Sequence, residues 1–429
     1  MSSKRSRPFY GWLIVFLSAV GLFLGPPLVI FSFSVFFKPM VADFHASRGA
    51  VSFAFSLSNF VGALSIPCIG MVIDRFGAKR VIVVSTLVYG LVLCSALWVG
   101  DSLWQLFFFF IVLGVAMASG PSPVPYGVVT SHWFNRHRGL ALGLSMMGIG
   151  LGSVVVPILS QHLIGMFGWR TAFAIFGGAV LLVPLPVIAA WLQNDPEQRG
   201  LQPDGDETPL SHLPSPQKQG MSWREVWHSP TFWLLICIFS LAGASVHGVV
   251  LHMAAIFTDR GVSAARAAMA TSIVGAAVSA GRLSSGYLLD RLFAPRVAIL
   301  FYSATALGAA ILCSGAQGTL ALVASFLVGL GMGAEVETMG YMISRYFGLV
   351  AFGTAYGVAF GAFMISGSAG VFLMGAGYDR FQSYTVPLAS LCLAMVLALI
   401  LLTRLGRHRY GVDSESNHAV EAEQVSSSA

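Results

Sequence analysis

Charge is what this sequence has least of. Asp, Glu, Lys and Arg make up 10% of its 429 residues, against 56% hydrophobic residues and a mean hydropathy of +0.78. So few charges cannot cover a water-facing surface of this size, which excludes an ordinary soluble globular protein. Cysteine is also scarce. The five present, Cys68, Cys94, Cys237, Cys313 and Cys392, fall inside apolar runs and form no CxxC pair, so neither a disulfide framework nor a zinc site is expected. Strand-like alternation is missing, which argues against a membrane β-barrel. No nucleophile constellation, metal-ligand cluster or P-loop lysine occurs, so an enzyme, an ATP-driven pump and a bound cofactor or metal are not expected. The net charge of +6 resides in short segments between apolar runs. That is a topological pattern, and no nucleic-acid partner follows from it.

What the chain has in abundance is apolar runs near or above the roughly 20 residues that cross a bilayer as helix. The first, about Phe9 to Phe37, is too long for the hydrophobic region of a signal peptide and reads as a retained span. Further spans fall at roughly 49–69, 81–99, 104–131, 139–164, 171–192, 230–257, 267–289, 296–314, 319–343, 350–375 and 384–403. The expected class is an all-α membrane protein with twelve transmembrane helices. Placing the N-terminus in the cytoplasm puts seventeen of the 24 lysines and arginines inside and six outside, with Arg282 within a span. The positive-inside rule then gives a multi-pass cell-membrane protein with both termini cytoplasmic. Residues 1–192 and 230–407 form two bundles. Residues 193–229, rich in Pro, Gly and charge, are a cytoplasmic linker ending in a short amphipathic helix anchored by Trp223 and Trp227, and 408–429 a disordered cytoplasmic tail. A monomer is expected.

The bundles repeat each other. Gly70-x-x-x-Asp74-Arg75 follows the second span and Gly286-x-x-x-Asp290-Arg291 the eighth, with Asp74 and Asp290 216 positions apart. Trp133-Phe134 and Tyr346-Phe347 precede glycine-rich spans, 213 positions apart. Near-equal offsets indicate a duplicated six-helix unit, the arrangement that lets two pseudo-symmetric bundles rock about a central site.

Arg282 is the anomaly in this apolar background. It lies eight residues before Asp290, about 12 Å into the bilayer, where an arginine costs about 2.5 kcal/mol or more unless a partner, a water-filled cavity or a ligand receives it. Its planar guanidinium suits a bidentate carboxylate. Glu335 and Glu337 are the carboxylates placed deep in a span, about 15 and 12 Å in from Arg345, at the level of Arg282. Two readings of Arg282 follow, an anion anchor for substrate or one half of an internal ion pair with either glutamate. Residues two apart on a helix point to different sides, so only one glutamate is expected to face the cavity. A glutamate whose arginine partner is taken by substrate binds a proton more readily, which couples the two ligands. Asn59 and Tyr126 can donate hydrogen bonds to substrate. His247 and His252 on the seventh span are proton relays, anion ligands or hydrogen-bonded core histidines. The run Gly120-Pro121-Ser122-Pro123-Val124-Pro125 should break the fourth span.

The stretch Gly70-Met-Val-Ile-Asp74-Arg75-Phe76-Gly77-Ala-Lys79-Arg80, with twelve spans in a six-plus-six repeat, resembles the major facilitator superfamily over nearly the whole chain. In that fold Gly70, Asp74 and Arg75, and their counterparts Gly286, Asp290 and Arg291, would serve gating, with Asp74 accepting charge-assisted hydrogen bonds across the seam. A topogenic charge cluster is the other reading of these residues. Within the superfamily, Tyr10-Gly11-Trp12, His132-Trp133-Phe134 with Arg138-Gly139-Leu-Ala-Leu-Gly143, and Arg345-Tyr346-Phe347-Gly348 resemble monocarboxylate transporters and oxalate/formate antiporters. The resemblance implies a small carboxylate moved with a proton or in exchange for another anion, and a substrate-contacting arginine on the eighth helix, matched by Arg282. The chain departs from the family in three places: the first span has no lysine, Val278 stands where an aspartate is common, and the eleventh span carries no second cation. One fixed positive charge suits a monoanion. The 32 phenylalanines and 16 methionines leave export of amphipathic compounds as the other transport reading.

Overall fold

A computed structural model describes residues 9–205 and 220–410. The basic Lys4, Arg5 and Arg7, the middle of the linker, and the tail from residue 411 onward lie outside the described residues. Described residues of Met1–Gly62 and Val72–Gln219 form one compact unit; Ala63–Met71 and Gly220–Tyr410 form the other.

In the first unit α1 (Tyr10–Phe23) leads through a π-turn at Pro27–Phe31 into α2 (Phe33–Asp43). The interruption falls where Pro26 and Pro27 remove backbone donors. α3 (Arg48–Phe76), of which Ala63–Met71 belongs to the other unit, α4 (Ala78–Ser95), α5 (Leu103–Ser119), α6 (Pro123–Trp133), α7 (Arg138–Leu182) and α8 (Pro184–Trp191) follow. The second unit has α9 (Trp223–His228), α10 (Pro230–Asp259), α11 (Ala264–Leu289), α12 (Ala294–Cys313), α13 (Gly318–Phe347), α14 (Phe352–Phe381) and α15 (Thr385–Leu402). Among the described residues ten helical segments are long and apolar enough to cross a membrane. One, Arg138–Trp191, has 54 residues and breaks at Gly168, whose φ is +80°, so it supplies two crossings. α11 supplies the twelfth with 26 residues, made less apolar by Arg266, Arg282 and its serines. Large apolar side chains such as Phe16, Phe108, Phe372 and Leu393 are exposed on the helices, and a helix apolar all round belongs in lipid. Trp98 and Trp104, more than three-quarters exposed, sit at the helix ends where aromatic residues meet the headgroups.

Several helix ends are written in local sequence. Ser47 caps α3 by accepting from the Ala50 amide at 3.2 Å, and Ser222 with Glu225 forms a capping box on α9. α3 stops at Gly77, whose φ of +85° favours glycine. The fourth span breaks as its sequence predicts: α5 ends at Ser119 and α6 restarts at Pro123. The helices run further than hydropathy alone suggests. Gly70, Asp74 and Arg75 lie in the last turns of α3, Gly286 lies in α11 and Asp290 caps it, so the motif expected in loops is on helix ends.

The repeat is visible in hydrogen bonds. In the first unit Trp133 Nε1 donates to the Gln193 carbonyl at 3.0 Å; in the second the Tyr346 hydroxyl donates to the Gly406 carbonyl at 2.7 Å. Both donors and acceptors are 213 positions apart. The start of the linker is therefore structured. Asn194 Oδ1 accepts from the Lys79 amide at 2.6 Å, and Asp204 accepts from the Asn135 and Arg136 amides at 2.9 and 2.8 Å.

In the second unit α13 packs along α11 and α12. Gly329 lies against the Val274 carbonyl and Gly333 against that of Val278, where an added Cβ at Gly333 would overlap the oxygen. These contacts and the pair Arg282–Glu337 share an offset of 55 positions, so the two helices run parallel in fixed register. Small residues at i and i+4 permit that approach.

Gly333→Ala should overpack this seam and cost about 1–3 kcal/mol, read as a lower unfolding temperature in detergent. Gly275→Ala on α11, where an added Cβ meets nothing within 4 Å, should leave it unchanged. Elsewhere, Asp43 receives hydrogen bonds from Trp169 Nε1 at 3.0 Å and from Arg170. Partial burial alone would raise its pKa, but those donors outweigh it and hold the carboxyl below the usual range. Its stabilising effect is therefore complete above the unfolded value of about 3.9 and is lost as pH falls through the lower native value. The gap in melting temperature between wild type and Asp43→Asn should stay constant from neutral pH down to about pH 5 and close in stronger acid.

Candidate functional site

The register of α11 on α13 decides which groups meet. Gly329, Gly333 and Glu337 recur every four residues on one helical face, as do Val274, Val278 and Arg282 on the facing helix. The glycines bring the backbones together, and the next position on each stripe is a charge. Arg282 Nε lies 3.8 Å from Glu337 Oε1, with the arginine side chain 11% exposed and the glutamate side chain at 0%. That distance exceeds a hydrogen bond, so the interaction along this line is coulombic. Neither Glu337 oxygen has a hydrogen-bond donor among the described residues.

Glu335 turns the other way. It shares a face with Gly331, which packs against Thr305 and the Phe301 carbonyl of α12, and lies within electrostatic range of Tyr302. Glu335 is 1% exposed, and its Oε1 has no hydrogen-bond partner among the described residues. Of the two glutamates, only Glu337 faces Arg282.

Tyr356 of α14 closes the Arg282 side. Its ring approaches Gly340, its hydroxyl donates to the Val336 carbonyl at 3.5 Å, and it is within electrostatic range of both Arg282 and Glu337. Tyr302 and Tyr356 were not singled out from sequence. The available signal was a phenol in a span level with a buried charge, together with the stripe Phe352, Tyr356, Phe360.

The other expected residues are placed as follows. Asn59 belongs to the first unit and donates to the Phe55 carbonyl at 3.1 Å. Tyr126, also there, is fully buried with its ring tip against Gly21. In the second unit His252 Nδ1 meets the Gly248 carbonyl at 3.2 Å and its ring packs on Tyr384, while His247 Nδ1 meets Gly243 at 3.0 Å and its ring packs on Phe363. Among the charged motif residues, Arg75 lies over Phe76 and Arg291 over Tyr287. Gly70 packs against the Gly353 carbonyl, where no Cβ fits. No group of three His, Cys, Asp or Glu side chains suited to a metal ion occurs among the described residues.

Residues 11–371 match the family model described as Major Facilitator Superfamily. The chain is 26% identical over 343 residues to the uncharacterized MFS-type transporter YhjX of Escherichia coli strain K12, covering 78% of this chain and 81% of that protein. It is 32% identical over 187 residues to human monocarboxylate transporter 6, covering 42% of this chain and 35% of that one. Among solved structures, the proton:xylose symporter XylE superposes with a TM-score of 0.74 at 15% identity, covering 92% of this chain and 96% of that one. That last likeness concerns the fold.

Removing one partner of a buried ion pair costs about 3–5 kcal/mol because the other charge is left uncompensated. Arg282→Gln and Glu337→Gln should each lower the unfolding temperature, and the double variant should recover most of the loss. Additive losses in that cycle would show that the pair does not act as a unit.

Proposed function

Because the chain belongs to the Major Facilitator Superfamily and is a multi-pass membrane transporter, we propose that its substrate is a small monocarboxylate, moved by alternating access with a proton. The observation that carries this reading is the guanidinium of Arg282, 11% exposed within a span, opposite the buried carboxylate of Glu337 at 3.8 Å. The planar guanidinium matches the geometry of a carboxylate and can grip it bidentately.

The charges then set the coupling. With Arg282 and Glu337 ionised the pair is neutral. A monoanion on Arg282 leaves Glu337 as an excess negative charge in a low-dielectric interior, and a proton on Glu337 restores neutrality. Glu337 is thus the carrier of the coupled proton. The similarity to proteins named as monocarboxylate transporters supports the substrate class. The excess of lysine and arginine in the segments assigned inside supports cytoplasmic termini. Gly70, Asp74, Arg75, Gly286, Asp290 and Arg291 serve gating, and Asn59, Tyr126 and His252 supply polar contacts to substrate.

Uptake of radiolabelled acetate, lactate and pyruvate into proteoliposomes, with and without an inward proton gradient, tests the reading. Wild type should accumulate at least one of them when the gradient is imposed, and Arg282→Gln should lose uptake per unit of folded protein. Arg282→Lys keeps the charge and loses the planar fork, so KM should rise about tenfold, equivalent to about 1.4 kcal/mol. Saturable uptake of the same acid by Arg282→Gln at the wild-type rate would sink the assignment.

A further inference from the structure

The coupling above uses Glu337 and leaves Glu335 unexplained, although Glu335 is as deeply buried. Three oxygens on the α12–α13 face lie buried without a hydrogen-bond partner among the described residues: Glu335 Oε1, the Tyr302 hydroxyl and the Thr338 hydroxyl. Tyr302 and Thr338 are at 0% exposure. On α13, Gly331, Glu335 and Thr338 recur at spacings of four and three, which places them on the side that meets α12. Buried polar atoms are almost always satisfied, so three orphans in one place call for a missing partner.

The charged surroundings restrict what that partner is. Of the groups on elements packed against α13, Arg282 of α11 acts on Glu337, and Tyr356 of α14 lies on that same side. His247 and His252 of α10 face Phe363 and Tyr384. The groups in electrostatic range of Glu335 are Tyr302 and Glu337, and the latter has the same sign. An ionised Glu335 would be a second negative charge in a buried site with no cation turned towards it among the described residues, which costs several kcal/mol. A metal cation needs a near-complete shell of oxygens, for which three orphans are too few. A proton needs one acceptor, and a buried water needs two to four polar partners.

We propose that Glu335 is a standing carboxylic acid. It keeps a resident proton through the transport cycle, and a buried water joins it to the hydroxyls of Tyr302 and Thr338. In this role it rests on the coupling assigned to Glu337, and it completes the charge balance of the site. With Glu335 neutral, the empty carrier holds one positive and one negative charge, and the carrier loaded with a monoanion and one proton is neutral as well. With Glu335 ionised, both states carry an excess negative charge. Glu335 is therefore a proton-holding site that substrate does not discharge, whereas Glu337 exchanges its proton with each substrate.

The test needs no substrate. Infrared difference spectra of the purified protein in detergent, recorded through a pH titration in H2O and D2O, report protonated carboxyl groups by their C=O stretch. The wild type should show a deuterium-sensitive acid band at neutral pH without any carboxylate added. Glu335→Gln should remove it, Glu337→Gln should keep it, and Tyr302→Phe, which retains the acid and alters its hydrogen bonding, should shift its frequency. A band that survives Glu335→Gln, or no acid band in wild type at neutral pH, overturns the proposal. In transport assays Glu335→Gln, which mimics the neutral acid, should remain proton-coupled, and loss of coupling there would also overturn it. A wild type that moves no monocarboxylate but shows the band would sink the substrate reading and leave the resident proton standing.

Discussion

The close approach of α11 and α13 is the constraint on which the second unit depends. Glycine at 329 and 333 lets one backbone lie against the carbonyls of Val274 and Val278, and the same register delivers Glu337 to Arg282 at 3.8 Å. The ion pair is therefore a consequence of packing. A side chain at either glycine would push the helices apart and move the charges with them. Because the pair is buried, a shift of even an ångström or two changes both its attraction and its access to a ligand.

From that seam the two sides of α13 acquire different chemistry. One carries a carboxylate opposed by a cation, and the other carries a carboxylate opposed by hydroxyls. Two glutamates separated by one residue thus occupy unlike environments because a helix turns about 100° per residue. In the proposed cycle one exchanges charge with the substrate and the other remains neutral. The surrounding helices, apolar on both buried and exposed faces, hold this polar cluster in a medium where every unmatched charge is costly.

Much of this was legible in the sequence. Hydropathy and length gave twelve crossings, the offsets of 213 and 216 residues gave the duplication, and counting residues from Asp290 and Arg345 put Arg282 level with both glutamates. That the two glutamates would point to different sides followed from helix geometry; which of them meets Arg282 did not, because it depends on the register set by Gly329 and Gly333. Tyr302 and Tyr356 escaped notice because a tyrosine in an apolar run carries no charge to mark it. Helix ends were misjudged where hydropathy falls before the helix stops, as in α3, which continues through Asp74 and Arg75 to the turn at Gly77. Composition marks residues 193–229 as a linker but not its contacts: Gln193, Asn194 and Asp204 accept hydrogen bonds from Trp133, Lys79 and Asn135.

The central claim is that a carboxylate on Arg282 obliges a glutamate to take up a proton. Titrating lactate or pyruvate into purified protein in weak buffer, with a pH indicator to count protons and calorimetry to count ligand, measures this directly. The account predicts one proton taken up per carboxylate bound, abolished by Glu337→Gln while binding itself persists. Saturable binding to wild type with no proton uptake would contradict it.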